Sequence, residues 1–133
     1  MRTDFETLSL TGVLLRIAGA VIAGFVLGFP FRYRPGGLRT HALVTTGAAL
    51  FCILGVELSR DYDADLSRII QGIIQGIGFI GGATVLKTGG YIVGVNTAAS
   101  VLLAASIGCF IGSGYPWFGL IMAPLTMLFN IAL

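Results

Sequence analysis

Chemistry inside a strongly apolar chain has to start from its ionisable groups. A charge near mid-bilayer costs at least about 2.5–3.5 kcal/mol, so one that is kept there points to a use. Arg16 is the clear case, although its early position in an apolar run also lets it reach toward the outer interface. No Asp or Glu falls inside any long apolar stretch, and Glu57 stands at the edge of one. A divalent-cation path wants oxygen ligands, usually with a carboxylate among them, and a proton relay wants Asp, Glu or His. The spans offer neither, which weakens a transport reading while leaving open one built on backbone carbonyls. His41 has no Cys or Ser nucleophile in an evident setting, and neither HExxH nor paired intramembrane carboxylates occur. The expectation is a non-enzymatic protein with no metal site and no cofactor.

The other polar groups at membrane level are amides and hydroxyls, among them Thr45, Thr46, Gln71, Gln75, Thr84, Asn96, Thr97 and Ser100. Such groups hydrogen-bond across helices for about 0.6 kcal/mol on average and mostly act as glue. Gln71 and Gln75 join Arg16 as a candidate intramembrane polar site. Asn96-Thr97 follows Gly94 at the mouth of an apolar run, where an N-cap is the structural reading. Gly76-Ile-Gly-Phe-Ile-Gly81 matches G-x-G-x-x-G but sits mid-span, not between a strand and a helix, so a dinucleotide site is discarded. Asp61, Asp63 and Asp65 alternate in a loop and could attract Mg²⁺ from outside, yet they lack the glycine and terminal Glu of a calcium loop. They read as a solvated face. Cys52 and Cys109 lie in apolar sequence and read as packing residues.

The elements that carry these residues follow from composition. Of 133 residues, 56% are hydrophobic and 11% charged, and there are 20 glycines. Water-soluble domains average about 25% charged residues, so a multi-pass membrane protein is implied, with the lipid bilayer as its solvent. Net charge +2 is too small to suggest nucleic acid. Apolar runs at residues 8–31, 42–56, 69–86, 95–111 and 117–133 give five spans in a single domain, 1–133: an all-α membrane protein built as a compact bundle. A basic loop with Arg32, Arg34, Arg39 and His41 separates the first two spans, and a glycine-punctuated turn at 87–94 precedes the fourth. With the N-terminus outside, Arg32, Arg34, Arg39 and Lys87 fall inside, against Arg2, Arg60 and Arg68 outside. Three arginines in one short loop favour this N-out, C-in orientation.

Lipid supplies no hydrophobic drive for helix association, so membrane helices approach at small residues. Gly24/Gly28, Gly72/Gly76, Gly78/Gly82 and Gly108/Gly112 each stand four apart, placing both members on one helix face. Tight packing within the chain is the expectation, with a homodimer seam as a further use of these faces.

Arg34-Pro-Gly-Gly-Leu-Arg-Thr-His-Ala-Leu-Val44 with Thr46-Gly-Ala-Ala49, then Gly76-Ile-Gly-Phe-Ile-Gly-Gly82, then Gly94-Val-Asn-Thr-Ala-Ala-Ser100 closely resemble the signature of the MgtC/SapB family of bacterial inner-membrane proteins, in the family's order. The resemblance implies a five-helix transmembrane module in the inner (plasma) membrane with a cytoplasmic C-terminus. It also implies a link to growth in low magnesium, to virulence in pathogens, and to restraint of the proton-translocating ATP synthase through its membrane subunits. Magnesium or other cation transport is the alternative. Asn96, beside Thr97, matches a position linked to function in the family, and Arg39 and Thr40 match its Leu-Arg-Thr signature. Two departures stand out. Gly28-Phe29-Pro30 replaces the acidic-basic pair usual at the end of span one, and the sequence stops where many members continue into a soluble domain, as a short member or as part of a longer one.

Overall fold

The computed structural model describes residues 10–62 and 65–132. Five α-helices follow in order: α1 Leu10–Gly28, α2 Leu38–Asp61, α3 Leu66–Ala83, α4 Val95–Gly112 and α5 Pro116–Ala132. A 3₁₀ turn, Phe29–Phe31, continues α1, and the short strands β1 Leu86–Thr88 and β2 Tyr91–Val93 stand between α3 and α4. The architecture is an all-α bundle. Three helical segments, Leu10–Phe31, Leu38–Arg60 and Val95–Gly112, are long and apolar enough to cross a membrane. That is fewer than the five expected from sequence. α5 is apolar but only 17 residues long, and α3 carries Arg68, Gln71 and Gln75 among its 18.

Element boundaries differ from the sequence reading where backbone chemistry outweighs hydropathy. α2 begins at Leu38, with Gly37 as its N-cap, so Arg39 and His41 belong to a helix and not to the basic loop. α3 begins at Leu66 because the Asp65 carboxylate accepts a hydrogen bond from the Ser67 backbone N–H at 2.9 Å, satisfying one of the helix's free donors. Asp65 is therefore a cap. Asp63 and the Asp61 side chain lie outside the described residues, as do residues 1–9 with Arg2, Asp4 and Glu6. The turn expected at 87–94 is a β-hairpin pairing Leu86 with Val93, Lys87 with Ile92 and Thr88 with Tyr91. Gly89 and Gly90 close it with φ of +56° and +87°, the two positive values that a tight two-residue loop of this hand requires.

The core is shared by α1, α2 and α4, with α5 against α1 and α4. It is built from small side chains: Ala20 and Ala23 of α1, Ala48 and Ala49 of α2, Ala104 and Ala105 of α4, with Leu27, Val101 and Ile111 filling between. Gly24 and Gly28 let α1 lie directly on the α2 backbone at Ala42 and Leu38, and Gly108 and Gly112 let α4 lie on Thr45, Ala48 and Ala49. Successive contacts run in the same sense along α2 and α4, so these two helices are parallel. α3 differs. A Cβ on Gly72, Gly76, Gly78 or Gly82 would meet nothing within 4 Å, so these four glycines do not pack against another helix of the chain, contrary to the expectation of close packing. The reason is that α3 touches its neighbours along a narrow strip through Ile73 and Gly81, its two buried residues, and its glycines fall off that strip.

Candidate functional site

The three sequence segments quoted above meet at one end of the bundle. Gly36 of the α1–α2 connection sits on the methyl groups of Thr97 and Thr84, where an added Cβ would lie 3.1 and 3.2 Å away. Gly81 near the end of α3 packs on Ala98 of α4. Gly94, the N-cap of α4, has φ +90° and lies against the Thr84 carbonyl so closely that a side chain would overlap it. Positive φ and close approach together make this a glycine position twice over. Segments some sixty residues apart are thereby held within van der Waals contact by glycines and small threonine methyls.

His41 is at the centre of this junction and is fully buried. Its Nδ1–H donates to the Gly37 carbonyl at 2.8 Å, an assignment that follows because a carbonyl oxygen only accepts. Its Nε2 lies 2.8 Å from the Ser100 hydroxyl of α4, and Ser100 Oγ in turn lies 2.8 Å from the Thr97 carbonyl. Phe31 of the 3₁₀ turn stacks on the ring at 5.3 Å between centroids and 10° between planes, and Thr45 Oγ donates to the His41 carbonyl at 2.8 Å. Every buried side-chain polar atom of the described residues has a partner. The cluster thus ties α1, α2 and α4 together without leaving an unsatisfied group, which would cost about 1–3 kcal/mol.

This corrects the expectation that His41 has no serine partner: Ser100, 59 positions along the chain, supplies one. A serine–histidine contact with a third group orienting the ring is also the layout of a hydrolytic nucleophile. Ser100 is 2% exposed and Thr97 4%, however, and neither large groove reaches them, so no substrate can approach the hydroxyl in this arrangement.

The other sequence candidates distribute as follows. Thr97 is buried in the junction, Thr40 is half-buried, and Arg39 and Asn96 are exposed at the same end. Asn96 is not the N-cap of α4: Gly94 holds that place and no side chain caps the helix. Arg16 reaches across the bundle to the Gly112 carbonyl at 3.4 Å, so it meets the C-terminal end of α4, where a cation is favoured by the helix dipole. Gln71 and Gln75 are exposed on α3 and are not brought together with Arg16. Two apolar grooves flank α3: one of about 590 Å³ toward α4, lined by Ile70, Ile74, Leu102 and Phe110, and one of about 600 Å³ toward α2, lined by Gly47, Phe51, Gly72 and Gly76. Among the described residues no group of three His, Cys, Asp or Glu could hold a metal ion. Cys52 is buried and Cys109 half-buried, both as free thiols. Sequence reasoning missed the pairing of His41 with Ser100. The available signal was the four-residue step Gly37, His41, Thr45 inside a motif segment, which places a histidine on the same helix face as core positions.

Comparison with known proteins agrees with these segments. The uncharacterized protein slr0014 of Synechocystis sp. is 38% identical over 122 residues, covering 90% of this chain and 51% of the relative. Protein MgtC of Brucella abortus is 39% identical over 100 residues, 74% of this chain and 41% of the relative, and Protein MgtC of Salmonella typhimurium is 38% identical over 103 residues, 76% and 43%. The chain therefore spans about half the length, or less, of these curated relatives. No solved structure matches it. The MgtC family matches residues 17–133, which takes in the whole glycine-held junction and all five helices but the first turns of α1. A match of that extent, with relatives sharing well over a third of their aligned residues, places this chain in the MgtC family.

Proposed function

We propose that this chain is the membrane module of a non-enzymatic inner-membrane regulator that works by docking on another membrane complex, and that the complex is the proton-translocating ATP synthase. In this reading the protein serves adaptation to low magnesium, and virulence where its source is a pathogen. Kinship with proteins named MgtC supports the family-level part of the reading. The observation that carries the docking part is α3. Gln71, Gln75, Gly78 and Gly82 recur at helical spacing on one exposed face, joining amides that need hydrogen-bond partners in lipid to glycines that permit close backbone approach. A lipid-facing amide is costly, so a second helix is its natural cover. Exposed Asn96 and Arg39 stand at the end of the bundle where α3 finishes. Clustering of Arg32, Arg34, Arg39 and Lys87 at that end supports placing it in the cytoplasm, hence N-out and C-in.

The test is copurification of ATP synthase membrane subunits with the tagged chain in mild detergent, wild type against Asn96→Ala. Retention by wild type and loss in the variant is expected, and equal absence from both removes the synthase as partner. Cation transport, the competing reading, expects Mg²⁺ or H⁺ flux in reconstituted vesicles. Flux at the level of empty liposomes is expected here. A second copy of the chain on the α3 face would instead appear as a disulfide-linked dimer from cysteines introduced at Gly72 and Gly76.

A further inference from the structure

Three contacts of 2.8 Å run in series through the sealed junction: His41 Nδ1 to the Gly37 carbonyl, His41 Nε2 to Ser100 Oγ, and Ser100 Oγ to the Thr97 carbonyl. Both ends of the series are carbonyl oxygens, which only accept. Nδ1 must therefore supply the hydrogen at one end and the Ser100 hydroxyl the hydrogen at the other. A neutral imidazole then has none left for the middle contact, and Nε2 and Oγ would face each other with lone pairs. Turning the Ser100 hydrogen back to Nε2 repairs the middle and empties the Thr97 contact. Three contacts need three hydrogens, and the neutral pair holds two.

We infer that His41 and Ser100 form a buried proton-binding site. A proton from solvent adds to His41 Nε2, the new N–H donates to Ser100 Oγ, and the Ser100 hydrogen turns to the Thr97 carbonyl. One N–H bond forms, no other covalent bond changes, and the charge of the site rises by one unit. Phe31 presents its ring face to the imidazolium, a contact that favours a cation. From α1, Gly28 packs against the His41 Cβ and brings no charge. Among the described residues no acidic or basic side chain contacts the ring, and Arg34 and Arg39, the charges nearest in sequence, are exposed. Burial and the N-terminal ends of α2 and α4 oppose the cation, while the carbonyl acceptors and Phe31 favour it. That opposition keeps the proton exchangeable and does not lock the ring in one state. The site lies where α1, α2 and α4 join, so its occupancy reports directly on the junction, whatever partner the α3 face meets.

The chain contains one histidine, so the imidazole ¹⁵N signals of the protein in detergent micelles or lipid nanodiscs belong to this site alone. Between about pH 4.5 and 8.5, the range in which histidines titrate, a single one-proton transition is expected, with both ring nitrogens protonated on the acid side. Ser100→Ala removes the acceptor for the new N–H and is expected to lower proton affinity about tenfold or more, a midpoint shift of about one pH unit. Ser100→Thr keeps a hydroxyl and is expected to restore the wild-type midpoint. A ring fixed in either state across the range overturns the inference, and so does a midpoint unmoved in folded Ser100→Ala. If Ser100→Ala fails to fold, the wild-type titration decides: a transition that protonates Nε2 upholds the site, and a fixed ring removes it.

Discussion

At the scale of single residues, the junction depends on atoms that are missing as much as on those present. Gly112 of α4 lies on the Ala49 backbone, where a Cβ would overlap the carbonyl oxygen and stand 2.8 Å from the α carbon. Backbone gives way less readily than a side-chain tip. Gly112→Ala is therefore expected to lower stability by about 1–3 kcal/mol, the usual penalty of overpacking, read as a fall in the thermal midpoint in detergent. The same substitution displaces the carbonyl that Arg16 reaches, so the two effects share one site. The four-residue steps Gly24/Gly28 and Gly108/Gly112 were legible in sequence as packing faces because period and residue type suffice to place them. His41 was not. Its partner comes from another helix, and nothing local in the sequence distinguishes a serine that meets an imidazole from one that bonds its own backbone.

At the scale of elements, α3 is where sequence and structure part. Its glycines have the same spacing as those of α1 and α4, yet they face open space, because spacing fixes a face of the helix but not the neighbour that face meets. Gly72→Ala and Gly78→Ala are accordingly expected to leave the bundle intact and to stabilise α3 by up to about 1 kcal/mol each through helix propensity, with thermal midpoints equal to or above wild type. Gly78→Leu is expected to fold as well and to lose the docked partner. The start of α3 carries a separate prediction. Hydrogen bonds from the Ser67 side chain, then from its backbone N–H, hold the exposed Asp65 carboxyl below its ordinary range. A depressed carboxylate contributes stability above its unfolded pKa of about 3.9, and that contribution is lost as pH falls through the native value. Amide exchange in the first turn of α3 is expected to quicken on acidification in wild type and already at neutral pH in Asp65→Ala. Asp65→Asn, which still caps, is expected to protect the turn at both. The hairpin at 86–93 was read only as a turn, since three-residue strands are too short to give a periodic signal.

At the scale of the whole molecule, a tight three-helix core of α1, α2 and α4 carries a loosely held α3, with polar groups sealed inside the junction and a glycine–glutamine face left outside. Composition made the membrane class plain, and hydropathy found all five helices, but their unequal roles arise from contacts between segments far apart in the chain. The charge pattern yields a test of orientation: a cysteine introduced at Gly89, at the tip of the hairpin, is expected to react with a membrane-impermeant thiol reagent in inverted vesicles and not in intact spheroplasts. Labelling in spheroplasts would reverse the proposed topology. The central claim is that the exposed α3 face docks on a membrane complex, and its most direct measurement is photocrosslinking from that face. With Gln75 replaced by a photoreactive phenylalanine derivative in native membranes, illumination is expected to join the chain to a membrane subunit of the ATP synthase; crosslinks to lipid alone would contradict the account.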